Sequence, residues 1–555
     1  MTISEKTKYS KTKCDRDMYV EAILKSESNK KVVVAGPGTG KTYLFKKILA
    51  DKQNSLTLTF INSLVEDLSI ELYGLSTVKT LHSFALSILN SFINKKQKIS
   101  PLLSKIISKD AEVLKNVNVD FEKLFYNRDE ENKFIEFYKE RRKYYKYYGY
   151  TDIIFAAVKY FEKFRDKIPA YDQILVDEFQ DFNKLEVSFI DLLAEKSPIL
   201  LAGDDDQALY DFKSASTYYI RERHSDDNLN YESFNLPYCA RCTRVVVDAT
   251  NDIINTAKKS GFLEGRINKP YTYFDCKKKD IESESYSKIG YAQIFATQIP
   301  WFIYNKIDEM AKNMKSNFSV LIISPYKKQS RAIAKALKEK GLQNIEYTIK
   351  DEPEITMLDG IKLLLEDKED NLGWRIVSKF LLKEDDFISL LNKTDSHPDK
   401  KIHDLIKPEC KKEVKEILKI LKLVKNNKPI DDNDFTRILN KINIDINGLS
   451  KDFLKNEINN TLQRGGNHAI RKIPIKAKTI QSSKGLDGDL VFITHFDNRF
   501  FIKDSDKTKI TDQEICNFLV ALSRTKRKVY LISSKKEEPT FLKWISKDRI
   551  ETIST

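Results

Sequence analysis

Between Lys30 and Leu49 the chain reads KKVVVAGPGTGKTYLFKKIL, and this stretch decides the fold. A Val-rich strand, Lys31 to Ala35, runs into a glycine-rich turn and then into a helix of apolar periodicity that begins at Lys41. Strand, turn and helix in that order make a cradle for phosphate. Gly36, Gly38 and Gly40, with Thr39 among them, permit a backbone path that points several N–H groups inward, and the helix N-terminus adds positive potential. Lys41 reaches outer phosphates and Thr42 offers a hydroxyl to Mg2+. Ala35 stands where the strict pattern has its first glycine.

Further along, ILVDEFQDFN (Ile174 to Asn183) drives an apolar strand straight into Asp177, Glu178, Gln180 and Asp181. Acidic residues after a strand often only solvate a loop or cap the next helix. Beside a triphosphate and Mg2+ they acquire work: Asp177 holds the metal through water and Glu178 polarises the attacking water. A third strand, SPILLAGD (Ser197 to Asp204), leads into DDDQALYDFKSAS, where Gln207 is placed to touch the γ-phosphate or its water. Tyr210 and Phe212 alternate there with charged residues, as groups that stack on bases do; packing beneath the loop is the alternative.

Composition bounds the rest. A chain of 555 residues is too long for one core and divides into roughly three or four units of about 100–200 residues. Lys and Arg total 95 against 81 for Asp and Glu, a net charge of +14 that favours a polyanionic partner, although lysine-rich surfaces also serve solubility alone. Six cysteines are too sparse for a disulfide framework, and Cys239 and Cys242 spell a lone CARC without a second pair at zinc-ligand spacing. The polar N-terminus lacks an apolar signal region, and no run of about 18 apolar residues follows. The expectation is a cytoplasmic protein with no membrane partner.

With these motifs on the page, the chain resembles a superfamily 1 helicase of the UvrD/Rep/PcrA type. The further signatures run in order: LTFINSLVEDL (Leu58 to Leu68), TVKTLHSFAL (Thr77 to Leu86), CARCTRVVVDATN (Cys239 to Asn251), TIQSSKGLDGDLVFI (Thr479 to Ile493) and FLVALSRTKRKVYLI (Phe518 to Ile532). The resemblance implies an α/β fold class, with two RecA-like P-loop domains of parallel sheets flanked by helices, and two helical insertions. It places ATP in the cleft and single-stranded or tailed DNA across the top. Arg241 and Arg524 would act as arginine fingers on the γ-phosphate, worth roughly 10³ to 10⁵ in rate. Lys484, Gly485 and Asp487 fall where the family has Lys-Gly-Leu-Glu and would link the nucleotide to the second domain; Asp487 is one methylene short of the Glu that reaches the ribose. Phe60, Asn62, His82, Tyr210, Phe212 and Lys213 match the DNA track, which holds backbone and stacks bases without reading sequence. Relatives hold adenine with an upstream glutamine and a tyrosine, yet CDRDMYVEAIL has no Gln and position 240 is Ala240, so relaxed NTP use is expected, with Tyr19 or Tyr238 as substitutes.

The domain reading follows from where motifs are missing. The first RecA-like domain takes 1–85 and 171–235, the second 236–355 and 471–555, with insertions at 86–170 and 356–470. SVLIISP (Ser319 to Pro325), DLVFITHF (Asp489 to Phe496) and KVYLIS (Lys528 to Ser533) supply strands of the second sheet. In the first insertion, RRKYYKYYGYTD (Arg141 to Asp152) is either a strand-binding surface or a helix with its rings inward and its charges in water. In the second, KEVKEILKILKLVKNN puts Val414, Ile417, Leu418, Leu421 and Val424 on one face for core packing. Only about thirty residues follow Arg524, so no C-terminal accessory domain is expected. The leading functional reading is a DNA-stimulated ATPase that translocates 3′ to 5′ on single strands and unwinds duplexes. The alternative is a nucleotide- and DNA-end-sensing subunit with a nuclease partner, resembling the helicase subunits of antiphage defence systems such as Gabija.

Overall fold

The described residues of the computed structural model are 3–60, 62–209, 214–313, 318–347, 355–426, 431–441, 473–502, 510–534 and 537–554; the side chain of Asn62 is also outside the description. The chain divides into two units, one of Met1–Phe84, Val158–Asp351 and Arg471–Thr555, the other of Ala85–Ala157 and Glu352–Ile470.

The first unit holds two parallel sheets. Strands β1 (Lys30–Ala35), β2 (Ser55–Thr59), β3 (Thr77–Thr80), β4 (Gln173–Val176), β5 (Ile199–Gly203) and β6 (Glu232–Leu236) lie in the order β3-β2-β4-β5-β1-β6. Every pairing among them is parallel. Val32 to Ala35, Leu56, Leu58 and Ile174 to Val176 are buried, as continuous apolar runs must be in strands covered on both faces. Because β5 lies between β1 and β4, the carboxyl ends of all three open side by side. That edge is where a parallel α/β sheet builds sites.

A short parallel pair, β7 (Tyr238–Cys239) with β8 (Thr272–Tyr273), precedes the second sheet. That sheet contains β9 (Ile289–Gln293), β10 (Val320–Ser324), β11 (Ile345–Tyr347), β12 (Ile475–Thr479), β13 (Gly488–Ile493), β14 (Thr525–Ser533) and β15 (Ile550–Thr552), ordered β11-β12-β10-β13-β14-β9-β15. Its pairings are also parallel. The pleat divides these strands between two cores: Leu321, Ile323, Val491 and Ile493 pack with the helices Arg244–Lys259 and Asp512–Leu522. Val320, Ile322, Leu490 and Phe492 pack on the other face with the helices Ile299–Asn313 and Lys327–Glu339. The molecule is thus α/β, with parallel sheets flanked by helices as in the two RecA-like domains of UvrD-like helicases.

The second unit is helical. Helices Met357–Glu366 and Asn371–Leu381 meet at two glycines, where a Cβ on Gly360 would come within 2.8 Å of the Gly373 carbonyl oxygen. On the helix Pro408–Lys425, Val414, Ile417, Leu418 and Leu421 are buried, while the Val424 side chain lies outside the description. In the tyrosine-rich segment Tyr144, Tyr145 and Tyr147 turn inward, and Lys143 and Lys146 stay exposed. Arg141 departs from the expectation that its charges stay in water. It is 3% exposed, because Asp110 lies inside the same core to receive it. Among the described residues, no helix is long and apolar enough to cross a membrane.

Candidate functional site: a phosphate loop facing two arginines

The loop after β1 is shaped by its glycines. Gly38 and Gly40 adopt φ of 71° and 97°, the left-handed region that other residues avoid. A Cβ on Gly38 would also overlap the Cβ of Arg241, so only glycine lets the two backbones approach. Thr39 Oγ1 donates to the Gly36 carbonyl at 2.9 Å and closes the turn. The loop is braced from outside: the Tyr271 hydroxyl donates to the Pro37 carbonyl at 3.0 Å and the Ala240 N–H to the Gly38 carbonyl at 3.0 Å. The helix Lys41–Leu49 then starts without a side-chain cap, leaving its first N–H groups for an incoming acceptor. Thr42, in its first turn, is half-buried.

Beside the loop, β4 delivers the acidic knot. Lys41 Nζ donates to Glu178 Oε1 at 2.8 Å and lies 3.5 Å from Asp177 Oδ1. Glu178 has φ 56°, a left-handed kink that turns it back toward the lysine. Lys484 donates to Asp181 and, at 2.8 Å, to the Gln207 carbonyl, and lies 3.5 Å from Glu178 Oε2. Burial disfavours the charges of Lys41, Asp177, Glu178 and Asp181, and the partners decide the outcome. Burial would depress Lys41, yet Asp177 and Glu178 hold its ammonium above the ordinary value. Glu178 is likewise disfavoured by burial, but Lys41 and Lys484 keep it well below the ordinary carboxylate range. For Asp177 burial wins and the carboxyl is raised, and Asp181 is pushed up to about 6 by burial against the pull of Lys484.

The loop after β5 meets the second sheet. Gln207 Nε2 donates to Asp204 Oδ2 at 2.7 Å, and its Oε1 accepts from Arg524 at 2.6 Å. Arg524 is buried, and among the described residues it pairs with no carboxylate; its other acceptors are the Val520 carbonyl and Ser523 Oγ. Burial and the nearby Arg241 bring it down to about 10. Arg241 Nε lies 3.5 Å from Asp487 Oδ2, and Asp487 also pairs with Lys526, so this carboxylate is engaged by cations. Gly485 has φ 79° and abuts Leu64.

Geometry therefore gathers Gly36, Gly38, Thr39, Gly40, Lys41, Asp177, Glu178, Gln207, Arg241 and Arg524 around one cleft of the first unit. The expected nucleic-acid contacts are less complete. Phe60 is half-buried with its ring edge-on to Phe182 at 5.9 Å, and His82 is half-buried on the helix Leu81–Ile93. Tyr210, Phe212, Lys213 and the Asn62 side chain lie outside the described residues. On the flank of the loop, the Arg16 guanidinium sits 5.0 Å from the ring of Tyr43 and 4.7 Å from that of Phe274. Tyr19 and Tyr238 meet edge-on at 6.2 Å.

Three cations escape sequence reasoning. Lys269 Nζ contacts Asp204 at 2.8 Å, Asp206 at 3.0 Å and also Asp205, while Arg266 grips Asp206 and Arg221 grips Asp205. Among the described residues these three aspartates form the one carboxylate, His or Cys grouping at metal-ligand spacing, and protein cations already fill it. Cys239 and Cys242 are buried neighbours, with the Cys242 N–H 3.5 Å from Cys239 Sγ.

Comparison with known proteins points to one group of relatives. Residues 97–227 match the model of the UvrD/REP helicase N-terminal domain. The chain is similar to DNA helicase II of Haemophilus influenzae, 28% identical over 203 residues covering 34% of this chain and 25% of that protein. It is also similar to ATP-dependent DNA helicase PcrA of Staphylococcus aureus, 25% identical over 287 residues that cover 42% of this chain and 38% of the relative. ATP-dependent DNA helicase Rep of Buchnera aphidicola is 26% identical over 251 residues, covering 36% of this chain and 37% of Rep. The chain thus spans about a quarter to two fifths of the length of these curated relatives. The likeness is to UvrD/Rep/PcrA-like superfamily 1 helicases.

Proposed function

We propose that the chain is an ATP-dependent DNA helicase, a DNA-stimulated ATPase that moves 3′ to 5′ along single strands. The observation that carries this reading is Arg524, buried without a carboxylate and pressed down to about 10 by burial and by Arg241. A buried guanidinium with a second, half-buried one beside it is costly unless an anion comes between them and Lys41, and a γ-phosphate is such an anion.

The roles follow from the exchange of partners. While Lys41 bonds Glu178, that carboxylate is a poor proton acceptor. A triphosphate in the loop draws Lys41 to its outer oxygens, so Glu178 loses its strongest partner, rises toward its normal basicity and is free to orient and deprotonate the attacking water. Gln207, already bonded to Arg524, brings the finger and the water-facing loop together as the cleft closes. Closure couples hydrolysis to relative movement of two strand grips.

Mg2+ fits the residues present. Asp177 Oδ1 is buried and accepts no hydrogen bond among the described residues, with Lys41 Nζ at 3.5 Å its nearest cation. Thr42 and Asp177 would hold the ion, which neutralises phosphate charge when bound. Phe60, Asn62, His82, Tyr210, Phe212 and Lys213 would grip single-stranded DNA without reading its sequence.

A forked duplex with a 3′ tail tests the proposal on the isolated chain. Strand separation dependent on ATP supports the motor. Hydrolysis stimulated by DNA without separation, together with a co-purifying nuclease, moves the reading to the sensing subunit of an antiphage complex. Absence of DNA-stimulated hydrolysis overturns both.

A further inference from the structure

Lys269 lies on the segment between the helix Arg244–Lys259 and β8, far in sequence from either the phosphate loop or the acidic knot. Its ammonium is buried and touches all three carboxylates of the loop after β5. Three negative charges there meet three positive ones, Lys269, Arg266 and Arg221, so the loop is clamped with its charge balanced. The same segment ends in Tyr271, which braces Pro37. What matters for chemistry is the order of hydrogen bonds. Asp204 Oδ1 serves Lys269 and the Asp206 N–H, and Oδ2 accepts from Gln207 Nε2. A carboxylate only accepts, so it fixes the polarity of the Gln207 amide: the NH2 faces Asp204 and Oε1 faces Arg524.

We propose that Lys269 is a positioning residue that acts through Asp204 to hold the Gln207 amide with its oxygen toward Arg524 and the attacking water. This rests on the hydrolytic reading above.

The sharpest probe is the near-isosteric Asp204→Asn. Lys269 and the Asp206 N–H are donors and keep the Asn oxygen, so the Asn NH2 faces Gln207. The glutamine must then flip, presenting its own NH2 to Arg524. Turnover of the full chain on single-stranded DNA is expected to fall about tenfold or more, with ATP KM within about threefold. In a Gln207→Ala background the same substitution is expected to cost nothing further, because the group it orients is gone. Lys269→Met combined with Asp204→Leu removes one charge of each sign, keeps the balance and is expected to reproduce both results.

Turnover equal to wild type in Asp204→Asn overturns the proposal. So does a loss that adds in full on top of Gln207→Ala, which marks a purely structural contact. If the paired variant does not fold, the Asn variant alone decides. Failure of the hydrolytic reading is separate: there the wild type itself hydrolyses no ATP, whereas here wild-type turnover is intact and Glu178→Gln remains dead.

Discussion

Two buried ionic networks, one in each unit, contain similar residues and behave differently. In the helical unit Asp110 accepts from Arg141 Nε and NH2 at 3.2 and 2.9 Å, from Arg375 Nε at 2.9 Å and from the Tyr145 hydroxyl. Arg141 NH1 goes on to Thr394 at 3.0 Å. Burial opposes the Asp110 charge, but Arg375 and Arg141 outweigh it and hold the carboxyl below its ordinary value. In the cleft, by contrast, Asp177 and Asp181 are pushed up while Glu178 is pulled down, and Asp177 Oδ1 is left without a hydrogen bond among the described residues. A saturated network fixes packing; an unsaturated one holds its members ready for a partner that is not protein.

That contrast breaks most sharply at Glu178. Glu178→Gln keeps shape but not basicity, so turnover is expected to drop by about 10² to 10⁴ while nucleotide and strand binding persist. Its melting temperature is expected to stay within a few degrees, because the substitution also relieves repulsion of Asp177. Steady-state hydrolysis and a thermal melt check this together, and retained turnover removes Glu178 from the role of base. Asp110→Ala should do the reverse. It strands Arg141 and Arg375 in the core and costs about 3–5 kcal/mol in denaturant unfolding. A cost below about 1 kcal/mol would mean that the closed network is no scaffold.

Asp152 sharpens the comparison inside the helical unit itself. It is buried, its nearest cation among the described residues is Arg142 at 3.6 Å, and burial pushes it up to about 7. Between the unfolded value near 4 and the folded value, the native state keeps a proton that the unfolded chain has lost. Stability from this group is therefore full at low pH and lost as pH rises through about 7. Asp152→Asn has no proton to lose. It is expected to match the wild type near pH 4 and to gain about 1.4 kcal/mol per pH unit above it, on the order of 4 kcal/mol at most by pH 8. Denaturant midpoints measured across that range decide it; parallel curves sink the idea.

Much of the fold was legible because parallel strands covered on both faces carry apolar runs, as β5, β10 and residues 32–35 of β1, 174–176 of β4, 490–493 of β13 and 529–532 of β14 do. Gly38, Gly40, Asp177 and Glu178 were legible because strand, turn and charge follow one another within a few residues. What stayed hidden is pairing at long range. Arg141 looked like a solvated helix charge, since its partners lie 31 residues upstream at Asp110 and 253 downstream at Thr394. Lys269 and Arg266 sit in GRINKPY, a loop without periodicity, and reach aspartates 60 or more residues earlier. No local pattern announces such a bond. The tyrosines near the phosphate loop could be named from sequence, but not the cation beside them, because Arg16 looked like any polar residue of a helix.

The smallest expected effect belongs to that cation. Arg16 Nε is buried and donates to no partner among the described residues, and its guanidinium lies near the rings of both Tyr43 and Phe274. A guanidinium donates and never accepts, so it suits the O6 and N7 acceptors of guanine and gains nothing from the amino group of adenine. With neither an upstream glutamine nor a tyrosine at position 240, no described feature favours adenine in return. GTP hydrolysis is expected within about tenfold of ATP hydrolysis, and Arg16→Ala is expected to lower kcat/KM for GTP a few-fold more than for ATP. A wild-type preference for ATP of a hundredfold, unchanged by the substitution, would place base recognition elsewhere and leave Arg16 as a brace between two rings.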